Sequence, residues 1–522
     1  MKQNGHPLSK PRGFRANAAL HRWVALVMAL FLALFAASGI ILNHRAGVSR
    51  INISRALLPA AFRYQHWNNA AIKGATWLDD SDVLLYGAVG VWRADGSLAN
   101  LRDYNHGLPA GADRRRIERI FQTTTGDILA GTRYGLYRLD TADDDTWVAL
   151  AFPSKDRHVV DLAQKGDTLY VLTRSHILAA PVTSPESLQA IQLQPPPGWD
   201  GRVPLLRIIW QLHSGELFGV PGRLSVDLIG GAMIALAISG VLLFVLPRRI
   251  RRRKRAGGPV SSLAATTRLS RRWHRRIGIT MALFLIACAA TGMLLRPPFL
   301  LTIVRAQSKP WPGTTLHGAG PWHDRLRRLH YDASLDRFLL ATGDGIFFYN
   351  SSLESTPQRA RREPPVSVMG VNVLEQTGPG RYLIGSFSGL YLWLPDKDIL
   401  MDWISRGPPP GRNPRLPSGA HMVAGYLRGE AGAEYVFDYR AGAMALGHDT
   451  SFPDMPPAAQ NAPMSLWNLA LETHTGRIYQ KILGSSQLLW VAIAGIFALT
   501  ILISGTHWWL HIRLRRRHRE KA

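Results

Sequence analysis

Long uncharged apolar stretches constrain the fold of this chain more than any other feature of its sequence. Four of them run for about 19 residues or more: Val24–Leu42, Leu228–Leu246, Ile277–Leu295 and Ile482–Thr506. Each could cross a bilayer as a helix, and three directly adjoin arginine clusters, as is typical of membrane edges. The sequence therefore predicts a membrane protein with four spans.

Positive charge is concentrated in the segments that flank these spans. The net charge is +26, and 22 of these charges lie in Met1–Trp23, Pro247–Arg276 and Trp508–Ala522. In a four-span chain these segments share one side of the membrane, and the positive-inside rule makes that side cytoplasmic. We expect anionic lipid headgroups as the partner of the basic residues, and no nucleic acid, because the basic runs adjoin the spans.

The two long loops, at about 44–223 and 296–481, then lie outside the cytoplasm. The single cysteine, Cys288, lies within the third span, so the chain can form no intramolecular disulfide. An exported domain without disulfides suits the periplasm of a diderm bacterium. We therefore expect a multi-pass protein of the bacterial inner membrane, with both termini cytoplasmic and two large periplasmic loops.

The chain repeats itself. Aligning Met28–Leu32 with Met281–Leu285, both Met-Ala-Leu-Phe-Leu, places His21 on His274 without a gap. The same alignment places Ser38-Gly39 on Thr291-Gly292. Each half is thus a basic entrance with histidine followed by a span that ends in a small polar residue and glycine.

A second alignment joins the other two spans. Leu-His-Ser-Gly, from Leu212, matches Thr-His-Thr-Gly, from Thr473, so that His213 falls on His474. Both following spans carry Ser-Gly near their inner end, at Ser239 and Ser504. Two spans per half make a parallel repeat, related by an axis along the membrane normal.

The predicted fold class is a four-transmembrane-helix bundle built from two tandem repeats, plus a β-rich, propeller-like periplasmic domain. The predicted segments, in chain order, are a cytoplasmic basic N-terminus (1–19), transmembrane helix 1 (20–43), a periplasmic β-rich half (44–211), a His-Ser-Gly element with transmembrane helix 2 (212–247), a cytoplasmic basic loop (248–272), transmembrane helix 3 (273–297), a second periplasmic β-rich half (298–472), a His-Thr-Gly element with transmembrane helix 4 (473–511) and a cytoplasmic basic tail (512–522).

Six segments of the outer loops share one β pattern. A turn precedes an apolar run, and an aromatic run follows, often after Gly-x-x-x-Gly. The clear copies are 126–140, 336–350 and 380–395, and the weaker ones are 81–96, 166–181 and 433–447. Their spacing of about 40–50 residues suits blades of four short strands. Either each loop folds separately, as two unrelated β-rich domains would, or both join in one propeller-like domain.

Histidines at the membrane edges form two tiers. The inner tier has His21 and His274, with His507 as a substitute. The outer tier has His213 and His474, with His44 as a substitute. A span of 23 residues from His21 to His44 is about 34 Å of helix, so the tiers cannot share a metal centre.

Two imidazoles that face each other across a helix bundle are what a b-type haem needs as axial ligands. The histidine pairs therefore indicate two haem b groups with iron held axially. The alternative is that these histidines only anchor helices in the headgroup region.

The paired signatures resemble the PepSY-associated transmembrane family. They are Leu20-His21-Arg22-Trp23 with Ser38-Gly39, Leu212-His213-Ser214-Gly215, and His474-Thr475-Gly476 with Ser504-Gly505 before Trp508-Trp509. The resemblance covers the spans and their flanks. It implies an iron-regulated inner-membrane protein or a ferric-siderophore reductase that carries haem. The long propeller-like loops depart from the small α/β PepSY module, which puts the substrate in question.

Two functions follow from these observations. The first is a haem b-containing oxidoreductase, a membrane ferric reductase that passes electrons outward to ferric iron or a ferric siderophore. The sequence contains neither of two common nucleotide-binding motifs, the P-loop and Gly-x-Gly-x-x-Gly on a strand–helix unit. Electrons would therefore come from quinol or from a cytoplasmic reductase partner. The second function is a non-redox, membrane-anchored β-propeller that senses or binds a periplasmic ligand or protein.

Overall fold

The computed structural model describes residues 12–367, 369–410, 419–429 and 432–521. The first eleven residues of the basic N-terminus and the last residue of the basic tail lie outside this set. The chain forms two compact units, one of residues 1–48, 201–319 and 467–522 and one of residues 49–200 and 320–466. Residues 201–211 and 298–319, which the sequence assigned to the β-rich halves, therefore cluster with the helices.

Helices dominate the first unit. The helices longer than one turn are α1 (Arg12–Asn43), α2 (Leu205–Ser214), α3 (Gly219–Arg255), α4 (Ser261–Thr280), α5 (Ala282–Leu294), α6 (Leu466–His474) and α7 (Gln487–Lys521). One-turn α-helices of this unit are Arg45–Val48, Leu300–Ile303 and Gln480–Leu483, and the second unit has one at Pro457–Gln460. α1 contacts α3 and α7, α3 contacts α4, and α7 contacts α5, so the long helices pack side by side.

Within the part of the chain that the structure describes, three helical segments are long and apolar enough to cross a bilayer. They are Ala16–Asn43, Glu216–Arg255 and Arg477–Leu514, and α4 with α5 supplies a fourth if this pair, bent by 64°, counts as one span. The bend follows Thr280, whose hydroxyl donates to the carbonyls of Arg276 at 2.9 Å and Ile277 at 3.3 Å. Such back-bonding competes with the helical ladder, and the break in the helix lies directly after it. The sequence had indicated one unbroken helix here.

The two His-[Ser/Thr]-Gly elements form short helices that are separate from the long helices after them. α2 ends at Gly215, which has φ +81°. A Cβ at Gly215 would lie 2.2 Å from the carbonyl oxygen of Gly222, so the chain doubles back there at a distance only glycine allows. α6 likewise ends before Gly476, with φ +77°. This break brings His213 back toward the bundle.

Among the described residues, the second unit contains six antiparallel sheets of three or four strands. The first consists of β2 (Gly74–Trp77), β3 (Asp82–Gly87), β4 (Gly90–Asp95) and β5 (Arg102–Asp103), and the second of β6 (Ile117–Gln122), β7 (Ile128–Thr132), β8 (Gly135–Asp140) and β9 (Thr146–Ala149). The third consists of β10 (Val159–Lys165), β11 (Thr168–Thr173), β12 (Ile177–Pro181) and β13 (Gln189–Ile191).

The second loop supplies the other three sheets. The fourth consists of β16 (Leu326–Asp332), β17 (Arg337–Thr342), β18 (Ile346–Asn350) and β19 (Gln358–Arg359), and the fifth of β20 (Val373–Gly378), β21 (Arg381–Ser386), β22 (Gly389–Leu394) and β23 (Ile399–Asp402). The sixth has β24 (Val423–Arg428), β25 (Glu434–Asp438) and β26 (Gly442–Leu446). Two further pairs are β1 (Asn52–Ile53) with β27 (Met464–Ser465), and β14 (Val203–Pro204) with β15 (Gln307–Ser308).

The six sheets form a closed, propeller-like ring. Each innermost strand contacts that of the next sheet, and β24 of the sixth contacts β2 of the first. Buried apolar clusters lie between successive sheets, including one where Leu85 of the first packs with Phe437 of the sixth. All six sequence copies correspond to the central hairpins of these sheets. The two loops therefore join in one domain, which decides between the arrangements left open by the sequence.

The Gly-x-x-x-Gly motif has a steric cause, which the copy at 126–140 shows. A Cβ at the first glycine of one copy, Gly131, would lie 2.7 Å from Cγ1 of Val159 on the next sheet. The second glycine, Gly135, begins the third strand with φ +136°. The motif thus combines close sheet packing with a turn that side chains rarely adopt.

Buried charges tie the innermost strands together. Arg328 of β16 donates to the carbonyls of Asn372 at 2.6 Å and Val160 at 3.2 Å, and lies 3.4 Å from Asp161. One guanidinium therefore connects segments of three sheets. Buried polar groups of this kind are stable only when paired, as here.

Candidate functional site

Two pairs of histidines, each with one member from either half of the chain, come together in the helical unit. His21 on α1 and His274 on α4 have ring centres 6.4 Å apart, with planes inclined at 77°. His213 on α2 and His474 on α6 have ring centres 6.0 Å apart, with planes inclined at 50°. These are the pairs that the sequence repeat set opposite each other.

All four rings are held at Nδ1 in the same way, by a hydroxyl and by the backbone three residues before it. The hydroxyl oxygens are those of Ser504 for His21 (3.4 Å), Ser239 for His274 (2.9 Å), Thr291 for His213 (3.1 Å) and Ser38 for His474 (3.1 Å). The backbone groups are the carbonyls of Ile501 (2.9 Å), Cys288 (3.1 Å) and Phe35 (3.0 Å), and the backbone of Leu236 for His274.

These bonds fix the tautomer of the imidazoles. A carbonyl oxygen only accepts, so Nδ1 carries the proton and Nε2 keeps its lone pair. The hydroxyls agree, because Ser38 donates its own proton to the carbonyl of Leu34 at 2.6 Å and Ser239 donates to Ala235 at 2.6 Å. Across the described ranges, none of the four Nε2 atoms has a hydrogen-bond partner. Each ring therefore offers an unprotonated nitrogen as a ligand.

The glycine after each hydroxyl residue makes room for the ring. A Cβ at Gly505 would lie 2.8 Å from Cε1 of His21, and one at Gly292 would lie 2.9 Å from Cε1 of His213. The corresponding distances are 3.3 Å at Gly39 and 3.5 Å at Gly240. Only a residue without a side chain fits comfortably at the two closest positions.

Every histidine is held by the Ser/Thr-Gly element of the other half. His21 of the first half contacts Ser504 of the second, and His274 of the second contacts Ser239 of the first. The outer pair follows the same rule through Thr291 and Ser38. The paired signatures therefore act across the two halves of the chain.

The segments that contain these histidines and Ser/Thr-Gly elements all lie within the match of one family model. The model of the PepSY-associated TM region matches residues 20–512. This chain belongs to the PepSY-associated transmembrane family. The match includes all four paired histidines and confirms the family that the sequence signatures indicated. No curated protein matches the chain.

Solved structures show only a distant likeness to this family member. The extracellular domain of a one-component system from B. thetaiotaomicron has 11% identity and a TM-score of 0.34, over 75% of this chain and 40% of its own. Streptogramin B lyase has 6% identity and a TM-score of 0.35, over 75% and 87%. YCF48 bound to D1 peptide has 11% identity and a TM-score of 0.30, over 74% and 98%. The propeller-like arrangement rests on the sheets described above, not on these scores.

The two substitute histidines, His44 and His507, do not join either histidine pair. Nε2 of His44 lies 2.8 Å from Oδ2 of Asp227, which also accepts from Asn43 at Oδ1. His507 stacks on His511 with ring centres 6.4 Å apart, and its Nδ1 lies 3.3 Å from Asn17. These side chains are thus engaged elsewhere.

The donor set fits axial haem ligation. Two imidazoles that bind one metal through Nε2, at about 2.0 Å each, have ring centres roughly 6 Å apart. The separations of 6.0 and 6.4 Å agree with this geometry. In the described part of the chain there is no cluster of three or more metal-ligating side chains, so a metal here would need further ligands of its own. A haem iron brings four from its macrocycle and needs two from the protein.

Sequence reasoning missed the part played by the Ser/Thr-Gly elements. From the sequence alone, small residues of this kind in a span indicate only that helices can pack closely there. The signal that could have revealed more was their number: each half carries two of the paired histidines and, within its spans, two Ser/Thr-Gly elements. It also missed Arg296, which follows α5 near the outer pair.

Proposed function

We propose that this protein is a haem b-containing inner-membrane oxidoreductase that passes electrons across the bilayer to a periplasmic acceptor. The observation that supports it best is the set of two histidine pairs, each about 6 Å between ring centres, with Nδ1 protonated and Nε2 unpartnered. A helix anchor at a membrane edge would need neither the pairing nor the fixed tautomer.

We further propose that the family region forms four spans in two tandem repeats, with α4 and α5 as one broken span. His21 follows the basic N-terminal segment and His274 the basic middle loop, so this pair forms the cytoplasmic tier. His213 and His474 form the periplasmic tier. Bound haem would supply reversible one-electron chemistry at each tier.

The chain's own residues orient the ligands and tune them. The carbonyl and hydroxyl at each Nδ1 hold the proton there, which keeps Nε2 aimed away from the supporting helix. Hydrogen bonds of this type make a metal-bound histidine more electron-donating, and their loss typically weakens binding 10–100-fold. The four Ser/Thr residues are therefore positioning residues.

The acceptor in this proposal is ferric iron, alone or in a siderophore, as the family resemblance implies. The donor is quinol in the bilayer or a cytoplasmic reductase. The propeller-like domain, on the periplasmic side, gathers or orients the acceptor.

Stopped-flow spectroscopy of the purified protein tests this proposal. The protein is reduced with a stoichiometric amount of dithionite and mixed with ferric citrate. We expect a reduced b-type α band that disappears on mixing, with ferrous iron formed in equal amount. His474→Ala should slow reoxidation strongly, whereas the control His44→Ala should not. A protein that is folded and free of Soret absorbance would favour a non-redox binding module instead.

A further inference from the structure

Arg296 is a cation without a counter-ion beside the outer histidine pair. It follows α5 by two residues and is only partly exposed. Its guanidinium has no hydrogen-bond or ion-pair partner among the residues the structure describes. It follows Thr291 by five residues, and the Thr291 hydroxyl oxygen lies 3.1 Å from Nδ1 of His213, which places Arg296 near the outer pair.

The nearby charges do not neutralise Arg296. Among the residues that the structure describes, the charged side chains that act on it are Arg477 and Glu472. Glu472 is already engaged, because its Oε1 lies 2.6 Å from the guanidinium of Arg477. Two cations and one anion leave one positive charge uncompensated next to the histidine pair.

The first half of the chain has no arginine at the position equivalent to Arg296. The ungapped repeat alignment places Asn43 at the equivalent position. There Asn43 donates to Asp227 at 3.1 Å, and Asp227 also pairs with His44 at 2.8 Å. The first half is thus internally satisfied, whereas the second half presents a free guanidinium.

A guanidinium at the edge of an apolar region is costly unless it meets an anion, and its planar fork suits a carboxylate. We propose that Arg296 binds a propionate carboxylate of the haem held by His213 and His474, through a charge-assisted hydrogen bond. This inference rests on the proposed function, since it presupposes haem at the outer tier. It assigns the outer haem an orientation in which a propionate lies on the α5 side.

Reconstitution with two forms of haem tests the assignment. Haem-free protein is titrated with haem b and with its dimethyl ester, in which both carboxylates are neutral. The binding step lost in His213→Ala identifies the outer site. A hydrogen bond to a charged group contributes about 1.5–3 kcal/mol, so Arg296→Gln should weaken haem b binding there roughly 10–100-fold. The ester should bind the wild type and Arg296→Gln equally.

Two control variants sharpen the comparison. Arg305→Gln removes an exposed arginine from the same connecting segment and should change neither affinity. Arg296→Lys keeps the charge without the fork and should fall between the wild type and Arg296→Gln. Near-identical melting curves for the variants would show that the fold is intact.

The outcomes separate this inference from the proposed function. Equal weakening for haem b and the ester, or no weakening for either, would overturn the role of Arg296 while leaving haem binding in place. Unchanged haem affinity with weaker ferric citrate binding would instead assign the guanidinium to a carboxylate of the acceptor. A wild-type protein that binds no haem at the outer tier would overturn both proposals.

Discussion

The Nδ1 contacts decide what the four histidines can do. Nδ1 of each imidazole forms a hydrogen bond with the backbone of a helix from the other half of the chain. The backbone therefore determines that the ring proton lies on Nδ1. A point mutation cannot easily remove such an acceptor. The adjoining glycines, in contrast, are open to test because their contacts with the rings differ in distance.

Alanine at Gly505 should disturb the inner pair more than alanine at Gly240. The new Cβ would lie 2.8 Å from His21 in the first case and 3.5 Å from His274 in the second. The closer contact forces the imidazole to move, whereas the longer one is an ordinary van der Waals contact. We expect Gly505→Ala to lower haem content per chain and Gly240→Ala to leave it nearly unchanged. Equal losses would contradict the steric argument.

A buried histidine in the β domain predicts acid sensitivity. Burial lowers the pKa of His158 to about 4, although Glu118 opposes the shift. Its pKa in the unfolded chain is near 6.5. Because the unfolded state binds the proton more readily, stability is full above about pH 6.5 and is lost as the pH falls toward 4.

Thermal melts of the full-length protein at pH 7 and pH 5 measure this effect. The wild type should lose melting temperature on acidification, and His158→Gln should lose less because it carries no proton at this site. His176→Gln, at an exposed histidine of the same domain, is the control and should behave like the wild type. An identical pH dependence in all three proteins would refute the assignment.

The pairing of the histidines could be predicted from the sequence, because the repeat relates their positions. The hydrogen bonds at Nδ1 could not, since they depend on how helices cross. Likewise, nothing in the local sequence around Arg296 shows that Glu472 is already paired with Arg477. Such facts arise only when distant segments are packed together.

At the level of secondary-structure elements, the points where helices break were harder to predict from the sequence than the helices themselves. His213 presents a difficulty for a reading of the sequence alone, because one straight helix from it into the span that begins at Leu228 would carry it beyond the hydrocarbon. The structure resolves it by ending α2 at Gly215. The bend between α4 and α5 has no clear sequence signal, because a threonine in a span usually leaves the helix intact.

Substituting Gly215 should displace the outer pair. Alanine there combines a positive φ with a Cβ only 2.2 Å from the carbonyl oxygen of Gly222. Gly219 also has a positive φ, +64°, but faces open space, so Gly219→Ala isolates the backbone strain. We expect Gly215→Ala to lose the outer haem, and Gly219→Ala to lower the melting temperature slightly while keeping it. Retention of both haems in Gly215→Ala would show that the turn does not position His213.

The six β hairpins were predictable because each copy carries its own turn and strand pattern. Closure of the ring was not, since it depends on contacts between the first and sixth sheets, such as Leu85 with Phe437. The outermost strands are short, with β5 and β19 only two residues long. Short strands of this kind leave little sequence pattern to recognise.

At the scale of the whole molecule, the account requires that the basic segments and the β domain lie on opposite sides of the membrane. Single cysteines test this directly in a Cys288→Ser background, because Cys288 is the only natural cysteine. Ala99→Cys places an exposed thiol between β4 and β5, and Ser261→Cys places one at the first residue of α4. An impermeant maleimide on intact spheroplasts should label the first and not the second. Labelling of Ser261→Cys without lysis would invert the topology.

The central claim is that each histidine pair holds one haem. Haem per chain, measured from reduced-minus-oxidised and pyridine haemochrome spectra of detergent-purified protein expressed with ample haem, tests it most directly. The account predicts two b-type haems in the wild type, one in His274→Ala, one in His213→Ala and none in the double variant. A well-folded wild-type protein without Soret absorbance, or full haem content in both single variants, would contradict it.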